Sequence, residues 1–184
     1  MKTYWPFMIL CALMIAIGVA AAQQNPGTPP QTEGKGKVLD LVFRVEDMGG
    51  KVQSLEIKES ATEVRIDLAA DVLFDFDKYT LKPVAADALR KVAQVAASYP
   101  SSPLLIEGHT DGKGTHSHNM TLSENRAQSV KNWLAQNASI APSRITTRGW
   151  GETKPVAPNK KPDGSDNPEA RKNNRRVEVT IRKT

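Results

Sequence analysis

The sequence predicts a domain in which β-strands and amphipathic helices share one core, on three observations. Within residues 38–68, Val64, Ile66 and Leu68 alternate with polar side chains, the period of a half-buried strand. Val84, Ala88, Val92, Val95 and Tyr99 then recur at steps of four, four, three and four, which places them on one helical face. Near the end, Val177, Val179 and Ile181 alternate with Glu178, Thr180 and Arg182 as a further strand. With 184 residues, 39% hydrophobic and 24% charged, the chain has the make-up of one globular domain with appendages.

The elements follow in order. Residues 1–22 read as a secretory signal: Lys2 is the one charge, Phe7 to Ala22 is an uncharged run of 16 residues, and Ala20-x-Ala22 suits signal peptidase. Cys11, inside that run, is the single cysteine, so neither an internal disulfide framework nor a cysteine-based zinc site is available. Residues 23–37 hold three prolines, three glycines and no apolar anchor, which predicts a flexible linker. Strands are expected over 38–45, 52–57 and 63–68, with a turn at Asp47-Met48-Gly49-Gly50. Next comes Val72-Leu73-Phe74-Asp75-Phe76-Asp77, then a helix from Pro83 to about Ser98, where proline is tolerated in the first turn.

Pro100 to Pro103 reads as a turn and Leu104-Leu105-Ile106 as a short strand, which stops at Glu107-Gly108-His109-Thr110-Asp111-Gly112. Thr121 with Glu124 three residues on fits a capping box, so a second helix is expected from there to about Asn137. Residues 144–149 read as a strand, and Trp150 to Asn174, with four prolines and little apolar sequence, as a long surface loop.

The net charge of +5 falls to +4 without Lys2. A charge this modest, on a chain expected to be exported and lacking a stacking or groove-reading element, excludes nucleic acid as a partner. One residue breaks the pattern of its helix. Leu122, Val130 and Leu134 share a stripe, and Arg126 stands in it, four residues from Leu122 and four from Val130. Either its methylenes cover the stripe while the guanidinium reaches water, or it is partly buried and needs an anion. Asp111, just past the strand that feeds this helix, is the nearest carboxylate by topology. The two would pair with each other, or split to clasp a zwitterion.

Taken together, Val72-Leu73-Phe74-Asp75-Phe76-Asp77 with Leu81, which resembles an opening strand, Gly108-His109-Thr110-Asp111 with Gly114, Asn119-x-x-Leu122-Ser123-x-x-Arg126-Ala127 and Asn174-Arg175-Arg176-Val177-Glu178 resemble the OmpA-like C-terminal domain family of porins, peptidoglycan-associated lipoproteins and flagellar motor stators. The resemblance covers about residues 69–182 and leaves 38–68 as a β-rich N-terminal extension ahead of an OmpA-like domain at 69–184. It implies an α+β two-layer sandwich, a mixed β-sheet with helices packed on it. It also implies non-covalent binding of peptidoglycan through the diaminopimelate of the stem peptide, tethering a cell-envelope protein to the wall of a Gram-negative bacterium. By the same resemblance Asp111 takes the ammonium of diaminopimelate and Arg126 its carboxylate in a bidentate fork. Asn119 shapes the pocket, Thr110 and Leu122 line it, and Arg176 is a further candidate, with solvation of an exposed strand face as the plainer account of Arg175 and Arg176.

Rival functions leave weaker marks. A metal hydrolase would draw ligands from His109, Asp111, His116 and His118, yet His116-x-His118 falls in a polar stretch and no glutamate stands beside histidines on a helix. All three histidines are expected as solvated loop residues, with no metal and no cofactor. No Gly-x-Ser-x-Gly elbow occurs either, so no enzyme is expected. A periplasmic structural or partner-binding protein with a decayed wall site would not need Asp111 and Arg126 together. Eight membrane strands of about nine to eleven residues do not fit between Gln23 and Leu68, so an outer-membrane or envelope partner is expected to supply the link to the membrane.

Overall fold

The structure, a computed structural model, describes residues 41–44 as backbone and residues 55–184 in full. The expected signal, linker and Asp47–Gly50 turn lie outside the described residues. Six strands form one sheet: β1 (Leu41–Arg44), β2 (Leu55–Glu59), β3 (Glu63–Ala69), β4 (Leu104–His109), β5 (Ile145–Gly149) and β6 (Arg176–Arg182), in the order β1-β2-β3-β6-β4-β5. The pair β4 and β5 is parallel and the other neighbours are antiparallel. The fold is therefore the α+β class expected, with a mixed sheet.

The closing strand β6 lies inside the sheet, paired with β3 from Ala69↔Arg176 to Glu63↔Arg182 and with β4 from His109↔Arg176 to Leu104↔Ile181. Strand β3 is thus integral to the sheet, and no sheet boundary falls at residue 69. Its Val64, Ile66 and Leu68 are buried, as their alternation predicts. They join Leu104 and Ile106 of β4 and Val177, Val179 and Ile181 of β6 in one core. Burying a side chain of this size is worth about 1.5–3 kcal/mol, so this face anchors the layer.

Helices α2 (Ala85–Ala97) and α3 (His116–Asn137) supply much of the rest of that core. On α2 the buried residues are Ala85, Ala88, Leu89, Val92 and Ala96, while Val84 is exposed. The expected stripe therefore holds except at Val84: Ala88 and Val92 are buried, Val95 and Tyr99 pack partly buried against the core, and Leu89 joins them. Two glycines let α3 approach the sheet closely. A Cβ on Gly108 would stand 2.1 Å from the Ser123 carbonyl oxygen, and one on Gly149 would stand 2.6 Å from the Glu124 nitrogen. Both close approaches need a missing side chain.

Three expected elements differ. Residues 72–77 do not form a strand: α1 (Ala70–Leu73) ends at Phe74, which makes an isolated bridge to Leu81. Leu73 and Phe74 are fully packed, and a one-turn helix buries both where an alternating strand would bury one. Helix α3 starts at His116, with the Thr115 side chain accepting from the His118 amide at 3.3 Å. Thr121 is not its cap, and Glu124 instead accepts from the Gly149 amide at 2.5 Å and the Thr147 hydroxyl at 3.0 Å. The stretch 150–174 ends in a helix, α4 (Pro168–Asn174), with Asn167 as its cap and Pro168 in its first turn. Asn174 pins the loop before it, accepting from the amides of Val156 and Ala157 and donating to the Ala157 carbonyl at 2.8 Å.

Candidate functional site

At the carboxyl end of β4 the chain turns through Thr110 to Thr115 into α3. The Thr110 amide donates to the Gly151 carbonyl at 2.9 Å, and the Lys113 amide donates to Asp111 Oδ1 at 2.9 Å. Thr110 Oγ1 donates to the Asp111 carbonyl at 3.0 Å, and buried Asn119 reaches the same oxygen at 3.5 Å. These bonds fix Asp111 at the mouth of a cleft of about 490 Å³, which Thr110, Asn119, Leu122 and Arg126 also line. Five of the six residues expected at the site therefore meet in one place.

Arg126 is 4% exposed, so its guanidinium faces the cleft and does not extend to the outer surface as the snorkelling alternative required. Its Nε donates to the Lys78 carbonyl at 2.9 Å, and its guanidinium lies 5.2 Å from the centre of the Phe74 ring. Among the described residues no carboxylate comes within ion-pair distance of it, and neither Nη atom has a protein hydrogen-bond acceptor. Burial pulls its pKa below the usual arginine value, opposed by the nearby charges of Asp71 and Asp77; a guanidinium remains charged all the same. A buried cation with two open donors is a site for an anion, because leaving it unmatched is costly.

Asp111 does not pair with Arg126. Its Oδ2 accepts from Arg175 at 2.8 Å and from Arg171 at 3.5 Å. Arg175 also forms a fork on Asp71, at 3.1 and 2.8 Å, and this bond, ahead of its contact with Asp111, raises its pKa. Arg171 is held in turn by Asp166 at 2.8 Å. Asp71, Asp77, Arg171 and Arg175 all line the cleft and are not among the expected site residues, although Asp77 and Arg175 stand in the motifs that carry the resemblance and Arg175 is weighed there as a solvated strand residue. Arg171 and Arg175 stand four residues apart, a helical spacing hidden in a segment whose prolines read as loop.

Arg176 does not line the cleft. It is 7% exposed, and its Nε donates to Glu178 at 2.6 Å while the Nη atoms donate to the carbonyls of Asn174 and Lys154, both at 3.2 Å. Neither strand solvation nor ligand contact describes it. Register explains this, since Arg176 lies across from Ala69 and His109 on two neighbouring strands, which leaves it no route to solvent.

The histidines also depart from expectation. His109 is 2% exposed on β4, with neither ring nitrogen hydrogen-bonded, and burial with the charges of Arg176, Arg65 and Lys154 pushes its pKa down to about 3. His116 and His118 stand in the first turn of α3, His116 2.8 Å from Glu152 and His118 2.7 Å from Asp77. No group of three or more His, Cys, Asp or Glu side chains among the described residues is placed to hold a metal ion, because His109 faces away from the other two. Nor is any described helix long and apolar enough to cross a membrane.

Comparison with known proteins adds four findings. The chain is 44% identical over 137 residues to photosystem I P700 chlorophyll a apoprotein A2 of Gloeobacter violaceus, covering 74% of the chain but 16% of that protein. It is 42% identical over 124 residues to outer membrane protein A of Bordetella avium, covering 67% of the chain and 60% of the relative. These curated relatives thus extend well beyond the matched part. Among solved structures, the cell wall anchor of the type VI secretion system (T6SS) from Pseudomonas aeruginosa superposes with a TM-score of 0.61 at 25% identity, over 71% of this chain and 88% of that one. Residues 73–171, more than half of the chain and nearly all of the cleft, match the OmpA family, and to that family the chain belongs.

Proposed function

We propose that the chain binds peptidoglycan without cleaving it and tethers an envelope protein to the cell wall. The observation that carries this is Arg126, a buried guanidinium with two open donors facing a cleft of mixed charge. Parallel donors of this kind fit a carboxylate. Diaminopimelate in a stem peptide ends in an ammonium and a carboxylate on one carbon. Arg126 takes the carboxylate, and Asp111 takes the ammonium as the longer contact from Arg171 gives way. Asn119 and Thr110 hold the loop in shape and Leu122 supplies an apolar wall. The site lies in the periplasm, the outer-membrane link being made by a partner. Family membership and the likeness to a cell wall anchor support the reading.

Sedimentation of the purified chain with diaminopimelate-type sacculi tests it. Asp111→Ala should lose binding while circular dichroism shows a folded protein, and no soluble muropeptide should appear, since the cleft has no nucleophile and base in contact. An Asp111→Ala protein that folds and still sediments would overturn the clasp, and released muropeptide would overturn binding without hydrolysis.

A further inference from the structure

The carboxylates of the cleft are not equally available. Asp111 has Oδ1 on the Lys113 amide and Oδ2 on two guanidiniums. Asp71 has both oxygens in the fork from Arg175. Asp77 has only Oδ1 engaged, by His118 Nε2 at 2.7 Å, and its Oδ2 has no protein partner among the described residues. The Asp77 side chain is 49% exposed and lines the same cleft as Arg126.

Asp77 also has a fixed relation to Arg126. The turn Asp75–Lys78 is closed by the Lys78 amide donating to the Asp75 carbonyl at 3.1 Å, and the Lys78 carbonyl is the acceptor for Arg126 Nε. Within that turn Asp77 sits in the left-handed region, φ 57°, which Asp and Asn tolerate better than most residues. One rigid turn thus presents an open carboxylate oxygen beside a buried cation with open donors, the arrangement that an ammonium and a carboxylate on one carbon require.

We infer that Asp77 is a second ligand-binding carboxylate, which accepts the ammonium through its open oxygen while His118 Nε2 holds the other oxygen and fixes its direction. The inference rests on the reading of the cleft as a holder of a zwitterion. Asp77 and Asp111 reach the cleft from different turns of the chain, so an ammonium, which has three donors, can engage both.

The test is calorimetric titration of the full chain, in moderate salt at neutral pH, with a monomeric diaminopimelate-containing muropeptide and with the same muropeptide acetylated on the free diaminopimelate nitrogen. Asp77→Asn, which suits the left-handed backbone, should bind the unmodified muropeptide about tenfold or more weakly than wild type, and the two proteins should bind the acetylated form alike. An Asp77→Asn protein that matches wild type on the unmodified muropeptide, or one that loses as much again on the acetylated form, would overturn the inference. Arg126→Ala separates the two levels. If it loses binding while Asp77→Asn does not, the clasp stands and the role of Asp77 falls; if it binds like wild type, or if wild type does not bind, both fall.

Discussion

Two buried arginines, Arg126 and Arg176, differ little in exposure, 4% against 7%, and differ completely in what their donors meet. Arg176 is closed in by Glu178 and two backbone carbonyls, and Glu178 is shared with Arg65 at 2.5 Å. Arg126 has one carbonyl on Nε and nothing from the described residues on either Nη. The first arrangement ties neighbouring strands together, and the second leaves two donors open to the cleft. Burial of a charge therefore says nothing about function until its donors are counted.

Substitution of each arginine should break that comparison in opposite directions. Arg126→Ala removes a charge that has no carboxylate partner among the described residues, so stability should change by less than about 1 kcal/mol. Its loss of sacculus binding should be about 2–5 kcal/mol, thirtyfold to several thousandfold. Arg126→Lys should fail substantially too, because an ammonium lacks two parallel donors. Arg176→Ala should show the reverse, a loss of about 3 kcal/mol in urea denaturation as Glu178 is left with one partner, with affinity retained by the fraction that folds. Equal effects of the two alanine changes on folding and binding would erase the distinction.

The scaffold under both regions comes next in size. Gly108→Ala should cost about 1–3 kcal/mol, since the new methyl meets the Ser123 backbone and must push α3 from the sheet. Affinity should fall with it, because Arg126 rides on the same helix. Unaltered affinity in a destabilised Gly108→Ala protein would show that the cleft adjusts independently of the sheet.

The smallest effect separates the regions by pH. His109 belongs to the closed network and has its pKa held down to about 3. The unfolded chain therefore binds the extra proton first as acid is added, near the ordinary histidine value of about 6.5. This contribution to stability is complete above that value and shrinks as pH falls toward 3, by at most about 1.4 kcal/mol per pH unit. Urea midpoints from pH 7.5 to 4.5 should follow that slope, and His109→Gln should flatten it. A slope unchanged by His109→Gln would place its origin elsewhere.

Much of this was legible in the sequence, and the reason differs from element to element. The alternation in β3 named its buried residues correctly because a strand with one face in a core has period two and no freedom to slip, whereas in β6, central in the sheet, Glu178 and Thr180 are buried along with Val177, Val179 and Ile181. Asp111 and Arg126 were legible because a carboxylate after a strand and a cation in an apolar stripe are locally anomalous, whereas Asn119 was named only by the family resemblance. Residues 70–74 misled, since a one-turn helix and a short strand offer the same few apolar side chains. The start of α3 was placed at Thr121 because Thr115 lacks the glutamate that completes a capping box.

What the sequence determined by itself is which residues are unusual: it marked Arg126 as a charge where none belongs, and the family resemblance named a ligand to match it. What the tertiary structure decided is which unusual residues share a space. Register alone sent Arg176 into the sheet and its neighbour Arg175 into the cleft, and the fold brought Asp77, Arg126 and Arg175 together from segments up to about a hundred residues apart. Periodicity is a local property that a sequence carries openly, whereas the partner of a buried charge is fixed by long-range packing, where one residue of shift exchanges one face for the other.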